Sequence, residues 1–434
     1  MSLLEIRGAR VLAENIEWLT SSQREELLAL FGRSVTIPRG HLIVVTTAER
    51  APEEHVRRTK AGLRWSPELT RRWSARVESS DESVVLLHAH HHVGPVELSP
   101  TDQGTSARIL DHFSLVAPNQ CHAYGVVGYD SVAGAFRLDG TGGDIAALTT
   151  VSGPIHRREA GRAQEGDVPM SLDRQVRALG ESAQRRLARA RVALLGLGGG
   201  GSIAAEQLGH MGVQHLVFVD GDVLKEVNLS RQACSGPADV GRPKAEVIAD
   251  ALHRDCGIEP MTIVETFPGV GSYQELKDVD VIVSAVDGAH ARNELNRFAR
   301  RYCIPVVDIG ATIRTRKGQL TAVAGHVVRA MPDGACLECE GLTSPTLREA
   351  ERGQHRVPYR DGAEDEGAPQ VMSINGVLAS AASTEVLKLL TGFAATAGTV
   401  HWRYDGLSGE LYPREPVRAG CDACALTGLA DASA

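Results

Sequence analysis

The sequence predicts an α/β protein: a doubly wound, mostly parallel sheet in its C-terminal part, preceded by a smaller mixed α/β domain. Three observations carry this. After residue 170, short apolar strands alternate with helical segments. The first of those strands runs into a glycine-rich turn, Gly196-Leu197-Gly198-Gly199-Gly200-Gly201-Ser202, that opens a helix. Before residue 150, short apolar strand-like runs have helical patterns between them. At 434 residues the chain has room for two or three domains and ample core.

In chain order, residues 22–30 read as a helix and residues 41–45 and 84–87 as strands. They belong to a domain over 1–150. Residues 151–169 are polar, charged and punctuated by Gly and Pro, and read as a linker. In the domain over 170–434, residues 192–197, 216–219, 279–286 and 305–309 read as strands. Residues 202–211, 243–253 and 289–301 read as the intervening helices, the second with Pro243 in its first turn. Residues 340–370 are polar, glycine-containing and free of cysteine past Cys339, and read as a mobile crossover loop over the site. Residues 372–391 form a long helix, and 400–404 with 410–412 a terminal hairpin.

A formal net charge of -8 argues against nucleic acid as the main partner. No apolar run approaches the ~20 residues of a membrane span, and the N-terminus has no basic-then-apolar signal pattern. A cytoplasmic protein is expected.

The glycine turn lets backbone N–H groups approach phosphate at a helix N-terminus. Asp220, at the end of the next strand, stands where a carboxylate meets ribose hydroxyls. These features fit any dinucleotide-binding fold, including a nicotinamide-dependent oxidoreductase. Asp222, Asn228, Arg231, Lys244 and Asp287 follow in order. Arg231 can fork onto phosphate oxygens, Lys244 supplies a point charge, and Asn228 can donate an amide N–H. Asp287 sits at a carboxyl strand end suited to Mg²⁺. Such cations stabilise a leaving pyrophosphate, which hydride transfer does not require. The set, with Gly196, Gly198, Gly199, Gly201 and Ser202, resembles the ThiF/MoeB/HesA-like adenylyltransferases, relatives of the ubiquitin-activating enzymes. The resemblance implies a Rossmann-like sheet, ATP and Mg²⁺ as cofactors, and a homodimer in which Arg174 reaches into the partner subunit's site.

Cys336-Leu337-Glu338-Cys339 and Cys421-Asp422-Ala423-Cys424 have the knuckle spacing of a tetrahedral Zn²⁺ site. Four thiolates leave no open position, so a structural zinc that clips the C-terminal tail is expected. Of the other cysteines, only Cys234 stands close to the motif as a thioester candidate.

Upstream, His88 and His90 close an apolar strand and point the same way. With a carboxylate nearby they make a three-ligand, open Zn²⁺ site of the hydrolytic type. The spacing H-x-H…S-x-x-D resembles the JAMM (JAB) metalloproteases. The resemblance implies a JAB-like N-terminal domain with catalytic Zn²⁺, Asp102 as the carboxylate ligand beside His88 and His90, Ser99 at the oxyanion, and a proton-moving glutamate in an early helix. Residues 25–32 match that element loosely, which makes Glu25 the candidate and Glu26 the runner-up. His91 stands where proline is common, and His90 and His92 form an alternative pair on one strand face.

The expected function is adenylation of the C-terminal glycine of a small ubiquitin-like or sulfur-carrier protein ending in Gly-Gly. The N-terminal domain would trim the same tail or remove conjugates, and the acyl group would pass to an outside sulfur donor or thiol. The alternatives are the oxidoreductase, a non-catalytic tail-binding scaffold, and adenylation of a small carboxylate or tRNA base.

Overall fold

A computed structural model describes residues 2–59, 62–91, 94–161, 168–317, 319–354, 369–394, 398–418 and 420–431. The chain divides into two compact units. The first comprises 1–167 with 301–303 and 426–434, the second 168–300 with 304–425.

The first unit runs β1 (Ser2–Gly8), α1 (Arg10–Ser21), β2 (Leu27–Ile37), β3 (Gly40–Arg50), β4 (Val56–Thr59), β5 (Gly62–Trp65), α2 (Pro67–Glu78), β6 (Ser83–Ala89), α3 (Pro100–Val116), β7 (His122–Val127), β8 (Val132–Leu138), β9 (Thr141–Val151) and β10 (Ile155–Glu159). Among the described residues the large sheet has the order β1-β3-β2-β6-β7-β8-β9-β10, and β1 also pairs with β9. The sheet thereby closes on itself, which removes its longest exposed edges. Both its faces are buried. Val85 and Leu87 meet Leu12, Ile16 and Leu19 of α1, whereas Val84 and Leu86 meet α2 and α3 through Trp73 and Phe113.

Two expectations fail here. Residues 22–30 are not a helix: β2 begins at Leu27, and the helix is α1 before it. Leu27, Leu28, Ala29, Leu30 and Phe31 are all fully buried. A strand covered on both faces reads as a continuous apolar run, and its period is then uninformative. Nor is 151–169 a linker throughout. Residues 155–159 are strand β10, antiparallel to β9, with Ile155 opposite Val151. Residues 162–167 lie outside the described residues.

The second unit runs α4 (Asp173–Leu179), α5 (Glu181–Arg189), β11 (Arg191–Leu195), α6 (Gly199–His210), β12 (His215–Val219), α7 (Lys244–Cys256), β13 (Met261–Ile263), α8 (Val270–Leu276), β14 (Val281–Ser284), α9 (Ala289–Arg301), β15 (Val306–Arg316), β16 (Gln319–Ala330), α10 (Pro345–Gln354), α11 (Met372–Thr391), β17 (Val400–Asp405) and β18 (Glu410–Pro413). The strand order is β13-β12-β11-β14-β15-β16-β17-β18. Strands β11 to β15 are parallel. From β15 onward the sheet is antiparallel, so only its first half is the expected parallel type. The expected crossover loop contains α10, and residues 355–368 lie outside the described residues.

Connections from β11 and β14 leave in opposite directions along the sheet. Ligands of open α/β sheets bind beyond the carboxyl ends of strands at such a switch point.

Candidate functional site

A cleft of about 520 Å³ occupies that switch point. Its lining includes Gly196, Gly198, Gly199, Asp220, Asp222, Arg231, Lys244 and Asp287, supplied by the ends of β11, β12 and β14, by the loop between β12 and α7 and by the start of α7. Gly198 caps α6, so the first N–H groups of that helix open toward the cleft. Gly201 lies one turn in, where a Cβ would stand 1.9 Å from the Gly196 carbonyl oxygen. It shapes the turn and does not line the cleft.

The carboxylates divide the work. Asp220 accepts the Leu197 N–H at 2.6 Å and the Asp222 N–H at 2.8 Å. Burial raises its pKa, against the pull of these two donors and of Lys244. Lys244 is buried to its tip and gives its ammonium to Asp222 at 2.6 Å. Among the described residues no carboxylate pairs with Arg231, and Asp287 is exposed without a partner. The cleft therefore holds one guanidinium free for phosphate, one ammonium held by an exposed carboxylate, and one carboxylate free for a cation. That donor set fits a nucleotide triphosphate with Mg²⁺ at Asp287.

Several expected residues lie outside this lining. Ser202 is fully buried and accepts the Ala233 N–H at 3.0 Å. Asn228 is buried and accepts the Lys225 N–H at 3.0 Å, fixing the short turn that leads to Arg231. Neither lines the cleft. Arg174 is exposed on α4 and does not line this chain's cleft. Cys234 does not line it either, and burial with the charges of Glu206 and Asp255 pushes its thiol up to about 12. That is the wrong direction for a nucleophile.

The sequence reading missed a buried cluster at the cleft floor. Asp308 accepts from Ser284 Oγ at 2.5 Å, from Arg292 Nε at 3.0 Å and from His326 Nε2 at 2.8 Å. Arg292 and His326 line the cleft. The available signal was one acid inside the apolar strand Val306-Val307-Asp308-Ile309.

Cys336, Cys339, Cys421 and Cys424 converge, with all four Sγ atoms within 4.8 Å of one another. Asn296 donates to Cys336 Sγ and Arg300 to Cys424 Sγ, both at 3.4 Å from helix α9. Burial opposes ionisation of Cys336. The Cys339 backbone, Asn296 and Arg300 outweigh it and bring the thiol down to about 7. Burial and the neighbouring thiols raise Cys339 and Cys421, so it is the convergence of four sulfurs in two C-x-x-C pairs that suits a Zn²⁺ site.

In the first unit, His88 shares the sheet face of Val84 and Leu86, so it points at α3. Asp102, in the first turn of α3, lies 3.3 Å from His88 Nε2 and 3.5 Å from His90 Nε2. The three ligand atoms lie within 4.8 Å of one another. Burial works against the Asp102 charge, yet hydrogen bonds from His88 and Ser99 hold it well below the usual carboxylate range. The donors fit a three-ligand cation site. Ser99 caps α3 and donates to Asp102 Oδ2 at 2.6 Å, so its hydroxyl is engaged with a ligand. The missed residue here is Tyr124, whose hydroxyl stands 3.4 Å from both His88 Nδ1 and Asp102 Oδ1. Burial first, then the charge and hydrogen bond of Asp102 and last the charge of Glu25, push its phenol upward, and Glu25 stands in the loop before β2. Glu26 is tied to Arg58 at 2.6 Å. His91 Nε2 faces the Arg24 carbonyl at 3.2 Å, and His92 lies outside the described residues.

A family model described as the ThiF family matches residues 172–424. The SAMP-activating enzyme E1 of Haloferax volcanii is 34% identical over 164 residues, which are 37% of this chain and 57% of that protein. Molybdopterin-synthase adenylyltransferase of Escherichia coli is 28% identical over 247 residues, covering 56% of this chain and 89% of that protein. Sulfur carrier protein ThiS adenylyltransferase of the same organism is 28% identical, covering 56% and 88%. Among solved structures, E. coli MccB with ATP gives a TM-score of 0.46 at 19% identity, over 59% of this chain and 74% of that one. The family match leaves residues 1–171 uncovered.

Proposed function

The chain belongs to the ThiF family, and from that premise we propose that its second unit adenylates the C-terminal glycine of a small ubiquitin-like or sulfur-carrier protein. One observation carries the reading: Arg231, Lys244 and Asp287 meet the glycine turn in one cleft. ATP phosphates bind at the N–H groups of α6, and Asp220 faces the ribose. The tail carboxylate attacks the α-phosphorus and pyrophosphate leaves. Arg231 stabilises the leaving charge, and Lys244 exchanges Asp222 for a phosphate oxygen. Asp287 would hold Mg²⁺, which supplies further charge neutralisation when bound. The named relatives activate carriers of this kind. No helix among the described residues is long and apolar enough to cross a membrane. We place the reaction in the cytoplasm, in a homodimer with Arg174 acting across subunits and an outside thiol or sulfur donor as acceptor.

The first unit is proposed to be a JAB-like zinc protease that trims the carrier tail or removes conjugates. His88, His90 and Asp102 would hold Zn²⁺, which supplies Lewis acidity when bound. Tyr124 and Ser99 orient these ligands by hydrogen bonding, and Glu25 moves the proton. One shared tail gives the fusion its logic, since tethering raises the effective concentration of the second site.

The test is ATP–pyrophosphate exchange with a carrier ending in Gly-Gly, alongside cleavage of the same carrier with a few extra residues. Carrier-dependent exchange is expected. NAD(H) binding without exchange would favour the oxidoreductase, and tight carrier binding without turnover the scaffold. For the first unit, His90→Ala is expected to lose zinc and cleavage together, and Glu25→Ala to keep zinc and lose cleavage. An extended carrier left uncut by the zinc-loaded wild type would reduce this unit to tail binding.

A further inference from the structure

Resting on the adenylation reading above, we propose that His326, oriented by Asp308, is the base that deprotonates the nucleophile taking the acyl group from the adenylate. The chemistry locates the need. A carboxylate attacks ATP as its anion and pyrophosphate leaves as one, so adenylation asks for no base. The next step does. A thiol or amine must shed a proton as its sulfur or nitrogen bonds to the acyl carbon and the bond from that carbon to the phosphate oxygen breaks. AMP leaves, and the proton passes through the imidazole to water. Among the described residues no cysteine lines the cleft, so the nucleophile comes from outside and the cleft must supply its base.

His326 is the imidazole in that lining. Its side chain is 12% exposed, and its Nε2 stands 2.8 Å from Asp308 Oδ2. Asp308 is fully buried. Burial opposes its charge, but Arg292 and His326 outweigh burial and keep its pKa low. An ionised carboxylate only accepts, so the Nε2 carries the hydrogen and Nδ1 is the acceptor. The fold makes room for this ring. Gly310 is its cross-strand partner on β15, and a Cβ there would lie 2.3 Å from His326 Cε1. Around the ring stand Asp308 of β15, Arg292 of α9 and His401 of β17, itself bonded to Glu340. Its register partner on β17 is Arg403, and α11 contributes only the neutral Asn375 and Leu378 to the lining. Burial lowers the His326 pKa, assisted by Arg292 and His401 and opposed by Asp308, which favours the neutral ring.

The experiment separates the two half-reactions. Pyrophosphate exchange is measured with ATP and a Gly-Gly-terminated ubiquitin-fold protein, and acyl transfer with cysteamine as the thiol. His326→Ala is expected to lower transfer by about 10²–10⁴-fold more than it lowers exchange, because only transfer needs the base. Added imidazole should restore part of the transfer. In the wild type the transfer rate should fall as pH drops through the His326 pKa, below the usual 6.5, and His326→Ala should lack that inflection. ¹⁵N ring shifts of the wild-type protein give a readout that needs no substrate or variant, with Nε2–H expected. An Nδ1–H tautomer, or exchange with unaltered transfer in His326→Ala, would overturn this assignment alone. No exchange in the wild type would overturn the adenylation reading and this step with it.

Discussion

Asp287 is the most economical residue on which to test the cleft, because it is exposed and pairs with nothing among the described residues. Asp287→Ala is expected to lower pyrophosphate exchange by at least about 10²-fold while stability changes by less than roughly 0.5 kcal/mol. Wild-type exchange in that variant would remove the residue from the mechanism. Gly201→Ala should do the reverse and fail through folding, since its Cβ would stand 1.9 Å from the Gly196 carbonyl. The cleft residues Asp220, Lys244 and Asp287 were legible because each follows a strand end or opens a helix, and Arg231 because it stands in the loop between β12 and α7 that returns to the same end of the sheet. Such positions face the switch point whatever the tertiary detail. Asn228 and Ser202 lie outside the lining and hold the backbone N–H groups of Lys225 and Ala233, and a motif does not say whether a polar side chain serves the ligand or the turn. Asp308 and His326 were not legible because they meet only through the antiparallel pairing of β15 with β16, with Gly310 opposite His326.

Among the elements, α9 and α11 match the sequence reading at both ends. Helix α11 has a left-handed glycine, Gly392, at its C-cap. Strand β16 was missed, and β2 was read as a helix, where burial on both faces erased the period. Helix α9 also joins two sites. Arg292, Asn296 and Arg300 recur every four residues on one face, the first holding Asp308 and the others the thiols. The thiol cluster ties the segment around Cys421 to the segment around Cys336, at 3.3 Å between their sulfurs. Cys336→Ser with Cys421→Ser is expected to abolish stoichiometric zinc and to lower the melting temperature of the second unit. Removing a structural metal withdraws folding free energy directly, on the order of several kcal/mol. Metal analysis and calorimetry check this, and a zinc-free double variant as stable as the wild type would refute the clip.

At the scale of the whole molecule, the remaining question is what completes the nucleotide site. Within one chain the cleft collects Arg231, Lys244 and Asp287, yet Arg174 is exposed on α4 and does not line it. An exposed arginine in the first helical turns of a unit has no evident task in its own chain. The proposed homodimer gives it one, because a two-fold operation carries the same helix of each subunit to its partner. Arg174→Ala subunits and Lys244→Ala subunits should each be inactive alone. Mixed, they form a heterodimer in which the Arg174→Ala chain keeps its own Lys244 and receives Arg174 from its partner. One of its two sites is then whole, and the other lacks both. With random exchange at equal amounts, half of the dimers are mixed, so about a quarter of wild-type exchange activity should return. The measurement is pyrophosphate exchange after incubation, with subunit exchange followed independently by mass. Full exchange of subunits without any recovery would place Arg174 in its own chain's site or outside the mechanism.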